Sequence, residues 1–154
     1  MQNINFMNYL SPLGTLSAFE EGGHIIALEW GRIEEDRPSP LLQELEQQLQ
    51  NYFEGKLKRF ELPLNPEGTA FQQSVWAEMG KIPYGESRRY GELAEKLNSS
   101  ARAVGTACGK NPIPIIIPCH RVIGGNGLIG GYSAGSGPST KINLLTLEGV
   151  INIQ

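Results

Sequence analysis

Apolar positions along the chain change their spacing several times, and each change marks a segment. Thr15–Phe19 and His24–Trp30 are strand-like runs on either side of the turn residues Glu20-Glu21-Gly22-Gly23, which predicts a hairpin. Ser11-Pro12-Leu13-Gly14 is turn chemistry ahead of it. Arg37-Pro38-Ser39-Pro40 breaks the pattern, with Ser39 suited to cap a helix and Pro40 to its first turn. Leu41, Leu42, Leu45, Leu49 and Phe53 then recur at helical spacing until Gly55 stops the helix. His24 opens a strand after a turn and reads as a surface residue. The first half is a small α/β unit.

Residues 61–69 form a Pro- and Gly-bearing connector, which places a domain boundary between 1–65 and 66–154. Thr69 can cap a helix carrying Phe71, Val75, Trp76 and Met79 and ending at Gly80. After the loop Pro83-Tyr84-Gly85, the spacing of Tyr90, Leu93, Ala94 and Leu97 predicts a short helix. Asn98-Ser99-Ser100 supplies a turn and the cap of a second helix, Ala101 to about Lys110, with Ala101, Val104 and Cys108 pointing inward. Two short helices across a tight turn fit a helix-turn-helix, with a plain helical hairpin as the rival. The outer surface of the second helix is small apart from Arg102: Gly105, Thr106 and Gly109. That suits either a helix pressed into a groove or tight helix–helix packing. Residues 111–118 then lead through a buried, strand-like isoleucine run to Cys119.

Composition narrows the class. The 154 residues are 40% hydrophobic and 19% charged, a globular balance. No apolar stretch approaches the roughly 20 residues that span a bilayer. The opening residues lack a secretory pattern, so the expectation is a cytoplasmic protein without a membrane partner. The net charge of −3 conceals a division. Residues 1–70 hold 5 Lys/Arg against 11 Asp/Glu, whereas residues 81–121 hold 7 against 3. Such asymmetry hints at an anion- or nucleic-acid-binding part. Cys108 and Cys119 are too few for a disulfide framework, and no Cys-x-x-Cys or His-x-x-x-His pair exists, so no metal is expected.

The chemistry concentrates at Ile117-Pro118-Cys119-His120-Arg121-Val122. A free thiol is only a few per cent thiolate at neutral pH, and an adjacent base raises its reactivity. His120 can serve as that base, directly or through a water, and Glu148 is a candidate to fix the imidazole. The residues alone leave open a buried, inert cysteine or a Cys-His hydrolase.

Pro-Cys-His-Arg-Val preceded by Ile resembles the active-site signature of the O6-alkylguanine-DNA alkyltransferases. Gly68-Thr69-Ala70-Phe71-Gln72, Ile82-Pro83-Tyr84-Gly85-Glu86, Tyr90-Gly91-Glu92-Leu93-Ala94, Ala101-Arg102-Ala103-Val104-Gly105, Asn111-Pro112 and Gly131-Tyr132-Ser133 resemble family motifs in family order. Pro12-Leu13-Gly14 and Glu29-Trp30-Gly31 resemble its N-terminal domain. The resemblance implies a ribonuclease-H-like α/β domain, a small antiparallel sheet plus helix. A mainly α, winged-helix-like domain carrying the helix-turn-helix would follow it. It further implies irreversible transfer of an alkyl group from flipped-out guanine to Cys119, one lesion per molecule, without a cofactor. O4-alkylthymine is a further candidate substrate.

By position, the resemblance makes His120 the water-mediated base and Glu148 its holder. Tyr90 would push on a phosphate and donate toward the base. Arg102 would enter the duplex in place of the nucleotide, with Gly105 on the same minor-groove helix and Arg121 a further DNA-contacting residue. Tyr132 and Ser133 would close the pocket, the backbone of Cys119 and Val122 would read the guanine edge, and Asn111 would brace the turn before the active site. The implied partner is double-stranded DNA, met as a monomer. Arg88-Arg89 before Tyr90 departs from the common family pattern and suggests extra phosphate attraction. Two other classes compete: a lesion binder without transfer, against which Cys119 speaks, and a transcription regulator, for which Gly105 and Gly109 offer few base-reading side chains.

Overall fold

The computed structural model describes residues 3–124 and 137–150 and divides into two compact units, 1–67 and 68–154. Among the described residues no helix is long and apolar enough to cross a membrane.

The first unit is a three-stranded antiparallel sheet in the order β1 (Ile4–Ser11), β2 (Gly14–Glu21), β3 (His24–Trp30), backed by helix α1 (Pro40–Phe53). The predicted hairpin is β2–β3; β1 is an additional strand, paired with Phe6 opposite Phe19 and Tyr9 opposite Leu16. Ser39 caps α1 by accepting from the Leu42 N–H at 3.1 Å, and Pro40 begins it. Leu42, Leu45, Leu49 and Tyr52 are buried in this unit, as are Leu16, Ile25 and Leu28 of the sheet. Each edge strand of the sheet is met at one point by a connecting segment. Phe6 and Arg37 exchange backbone hydrogen bonds at 3.0 and 2.7 Å on the β1 side, and Ile25 bonds Pro63 and Asn65, each at 2.8 Å, on the β3 side. Gln48 is buried in α1 and behaves like a peptide group. Its amide gives to the Glu61 carbonyl at 3.1 Å and accepts from the Glu61 N–H at 2.9 Å, so no polar atom there is stranded.

The second unit begins at Gly68, whose position leaves no room for a side chain: an added Cβ would lie 2.4 Å from the Trp76 ring. Thr69 and Gln72 form a reciprocal capping box that starts α2 (Ala70–Gly80). Trp76 is buried, and its indole N–H reaches the Ala107 carbonyl at 2.9 Å, fastening α2 to α4 (Ala101–Gly109). α3 (Tyr90–Lys96) packs on α4 through a turn in which Asn98 takes a left-handed φ of 53°. Ser100 caps α4 through the Ala103 N–H at 3.1 Å. Val104, Ala107 and Cys108 face inward. Ala101, expected on that face, is exposed.

Two features differ from a simple helical unit. Arg88–Arg89 (β4) pairs in parallel with Val122–Ile123 (β5), placing the residues just before Tyr90 beside those just after the Cys-His-Arg triplet. The isoleucine run before Cys119 is not a strand but a compact turn. Ile113, Ile115 and Ile117 are buried in it, and Ile115 adopts φ 75°. Continuous burial, not extended pairing, explains its apolar composition. A final helix, α5 (Pro138–Leu147), packs against the Cys119–Arg121 turn.

Candidate active site

Cys119 opens a single 3-10 turn, Cys119–Arg121, and is 8% exposed. The turn is fixed from both sides: the Cys119 N–H donates to Ile117 at 2.8 Å, and the Arg121 N–H to Pro118 at 3.0 Å. Asn111 braces the approach, its amide donating to the Ile117 carbonyl at 2.8 Å and its oxygen accepting from the Ile113 N–H at 2.9 Å.

His120 is wholly buried, with Nε2 2.8 Å from the Glu148 carboxylate. Burial on its own would raise the Glu148 pKa, but hydrogen bonds from His120 and Arg121 outweigh it and hold the carboxyl down at about 2. Burial pushes the His120 pKa down, and the Glu148 contact only partly restores it. The imidazole is therefore neutral and the carboxylate charged at pH 7. An anionic acceptor at Nε2 assigns the ring hydrogen to that nitrogen. Nδ1 is left with a lone pair; it is buried and has no hydrogen-bond partner among the described residues. A buried basic nitrogen beside a thiol-bearing residue is what proton removal from sulfur requires.

Arg121 departs from its expected place. It points inward and is 7% exposed, with its guanidinium over the Tyr84 ring and hydrogen bonds to both Glu148 oxygens and to the Ile82 carbonyl. All three nitrogens are committed inside the protein, so the expectation of a DNA contact is replaced by that of an anchor for Glu148. Val122 is fully buried, and its carbonyl accepts from Lys141 Nζ at 2.6 Å. Tyr90 lies at the start of α3, and burial first, then charge on Cys108 and Cys119, pushes its phenol up to about 12, so it keeps its proton. Burial pushes the Cys108 thiol to about 12 as well, and its sulfur touches Met79 at 3.3 Å; it is an inert core thiol. Tyr132 and Ser133 lie outside the described residues.

On α4, Arg102 is exposed and Thr106 turns its hydroxyl back to the Arg102 carbonyl at 3.1 Å. A Cβ added at Gly109 would meet nothing within 4 Å, and one at Gly105 only the Tyr90 ring at 3.9 Å. Internal packing therefore does not demand that either residue be glycine.

Sequence reasoning missed Lys141, which is fully enclosed. A signal was present: Lys141, Leu144, Leu145 and Glu148 occupy positions i, i+3, i+4 and i+7, one face of a helix. Among the described residues no group of three or more His, Cys, Asp or Glu side chains could hold a metal.

A sheet-and-helix unit is thus followed in sequence by a helical unit in which Cys119 adjoins the buried His120–Glu148 pair. Residues 6–66 match the family model for the 6-O-methylguanine DNA methyltransferase ribonuclease-like domain, and residues 70–150 match that for its DNA binding domain. The chain is 45% identical to a methylated-DNA–protein-cysteine methyltransferase of Methanosarcina acetivorans, over 90% of this chain and 94% of that one. It is 44% identical to the constitutive enzyme of that name from Bacillus subtilis, over 92% and 96%. The crystal structure of Mycobacterium tuberculosis OGT in complex with DNA superposes with a TM-score of 0.84 at 41% identity, covering 94% of this chain and 92% of that one. The chain belongs to the 6-O-methylguanine DNA methyltransferase family.

Proposed function

We propose that this protein repairs double-stranded DNA by moving the alkyl group of an O6-alkylguanine onto Cys119 Sγ, once per molecule and without a cofactor. The observation that carries the reading is the buried chain His120–Glu148–Arg121 directly following Cys119, which leaves His120 Nδ1 as an available base. The Cys119 proton passes to Nδ1, directly or through a water, and the thiolate attacks the alkyl carbon. An S–C bond forms, the C–O6 bond breaks, and its electron pair stays on guanine, which takes up a proton. A thioether is not hydrolysed, so the sulfur is spent.

An alkyl carbon inside a stacked duplex is out of reach, so the nucleotide must rotate out at a cost of a few kcal/mol, less for a mispaired lesion. Arg102, exposed on α4, fills the vacated space, and the side-chain-free positions Gly105 and Gly109 let the helix backbone approach the minor groove. Tyr90 donates toward the departing base and pushes on the neighbouring phosphate. The backbone of Cys119 and Val122 reads the guanine edge. Tyr132 and Ser133 close the pocket. Residues 66–154 act as the DNA-binding and catalytic domain, and the protein works as a monomer in the cytoplasm.

A duplex carrying one O6-methylguanine, followed by digestion and weighing of the Cys119 peptide, tests the reading. The expected result is a gain of one methyl that saturates at one per protein; an unmodified peptide overturns it. Cys119→Ser should retain lesion binding and lose transfer. Arg102→Ala should slow repair in duplex far more than reaction with the free modified base, and equal slowing would remove its role in extrusion.

A further inference from the structure

From Lys96 to Leu147 the sequence carries no Asp or Glu, yet five cations fall in that span. Three of them are matched within the protein. Arg121 grips Glu148, Lys141 is enclosed against the Val122 carbonyl, and Lys96 lies 3.9 Å from Glu78. Arg102 and Lys110 remain. Both are exposed, and neither forms an ion pair among the described residues. Arg102 has a task in the reaction above and Lys110 has none.

The two cations stand at opposite ends of α4, two turns and about 12 Å apart along its axis. At 3.6 residues per turn, Gly109, Arg102 and Thr106 form the middle of the outer face, and Lys110 lies at its rim. A helix about 10–12 Å across is wider than a minor groove of about 6 Å. Its middle strip can approach the bases only while its rim overhangs a wall of phosphates. A long cation belongs at that rim, and an ammonium with three donors suits a phosphate. The stem leaves a fixed point of the backbone: the Lys110 N–H donates to the Ala107 carbonyl at 3.1 Å, and Asn111 follows directly with its brace to Ile117.

We infer that Lys110 binds a backbone phosphate of the duplex at the edge of the minor groove, at the far end of α4 from Arg102. It thereby raises affinity for DNA irrespective of base sequence or lesion. The inference rests on the reading above in which α4 meets duplex DNA. A cation beside the last carbonyls of a helix also complements the helix dipole, a role confined to the protein, and the two roles differ in their response to salt.

Binding of the full-length protein to an unmodified duplex, followed across about 50–200 mM KCl, separates them, because each neutralised phosphate steepens log affinity against log salt by about 0.9. Lys110→Gln should lower that slope by about 0.9 and weaken binding about 5–10-fold near 0.1 M salt. Lys110→Arg should restore both. In a Cys119→Ser background, a duplex carrying one O6-methylguanine should lose affinity by the same factor. Methyl transfer by Lys110→Gln should slow at subsaturating protein and keep its rate at saturation, the pattern of a uniform binding contact. Reaction with the free modified base should not change.

An unchanged salt slope, with or without a lower thermal midpoint, would assign Lys110 to the helix end and overturn the inference. A slower rate at saturation, or weakening confined to the lesion duplex, would overturn it as well. Lys110→Met replaces the Gln variant if that one does not fold; failure of both to fold would make the lysine structural and also sink the inference. The binding measurement does not require transfer. If the unmodified protein binds the duplex and Lys110→Gln shows the lower slope, but Cys119 gains no methyl, the alkyltransferase reading fails and this inference stands. If Cys119 is methylated and the slope is unaltered, only this inference falls.

Discussion

Arg121 grips the same carboxylate that His120 touches. Its Nε and one terminal nitrogen reach the two Glu148 oxygens at 2.8 and 3.0 Å, while the other terminal nitrogen is held by the Ile82 carbonyl at 2.7 Å. A planar fork of this kind fixes the rotation of the carboxylate and, through it, the tilt of the imidazole. Arg121→Met leaves a buried carboxylate with one partner removed. We predict a loss of about 3–5 kcal/mol in urea unfolding. A loss below about 1 kcal/mol, the range of an exposed pair, would reject the anchoring role.

Acid should weaken the fold in two stages, both with the same sign. The folded His120 pKa lies below its ordinary 6.5, so the unfolded chain takes up that proton first and stability declines as pH drops beneath 6.5. The folded Glu148 pKa is near 2 against an ordinary 4.5, so its contribution is complete above 4.5 and disappears as pH falls toward 2. Urea midpoints measured from pH 7 to pH 2 should fall as pH drops below 6.5. Glu148→Gln should remove the lower stage; an unchanged acid limb would contradict the assignment.

Gly68→Ala should destabilise the second unit by about 1–3 kcal/mol, the usual range for overpacking. The new methyl would meet the Trp76 ring, whose N–H fastens α2 to the Ala107 carbonyl, so the disturbance has a direct path to α4. Thermal unfolding indistinguishable from that of the unmodified protein would show that the ring gives way freely.

Removing the brace at Asn111 should act on chemistry as well as stability. Asn111→Ala deletes the contacts to Ile113 and Ile117 and leaves the part-buried Ile113 N–H without its acceptor, at about 1–3 kcal/mol. With the turn before Cys119 loosened, methyl transfer should slow under conditions where the variant is still fully folded. Unaltered transfer would limit the brace to a stabilising part.

What the sequence disclosed depended on how local the determining interactions were. Ser39 and Thr69 cap helices as expected, because a cap needs only residues within one turn. The hairpin of Gly14–Glu21 and His24–Trp30 is legible for the same reason. β1 was not. Asn5 and Asn8 interrupt its apolar residues, and those amides serve distant backbone: Asn5 bonds the Arg37 carbonyl at 3.1 Å and Asn8 the Ile33 carbonyl at 2.9 Å. Ile113–Ile117 looked extended because burial leaves the same apolar trace in a turn as in a central strand. At the site, the pairing of His120 with Glu148 followed from the motif together with family resemblance. The inward course of Arg121 and the burial of Lys141 did not, since long basic side chains ordinarily mark a surface and their partners lie many residues away.

Ile115 carries a consequence for how the protein matures. A β-branched residue with φ 75° is strained by about 1–2 kcal/mol, and only the surrounding packing can offset that. The bend leading to the sulfur therefore cannot form ahead of the helices that enclose it. During refolding, helical circular dichroism should recover first and Cys119 labelling with an alkylguanine probe should trail behind. Simultaneous recovery of both signals would contradict that order. A chain newly released from denaturant would thus acquire its reactive thiol last, after the scaffold that governs it.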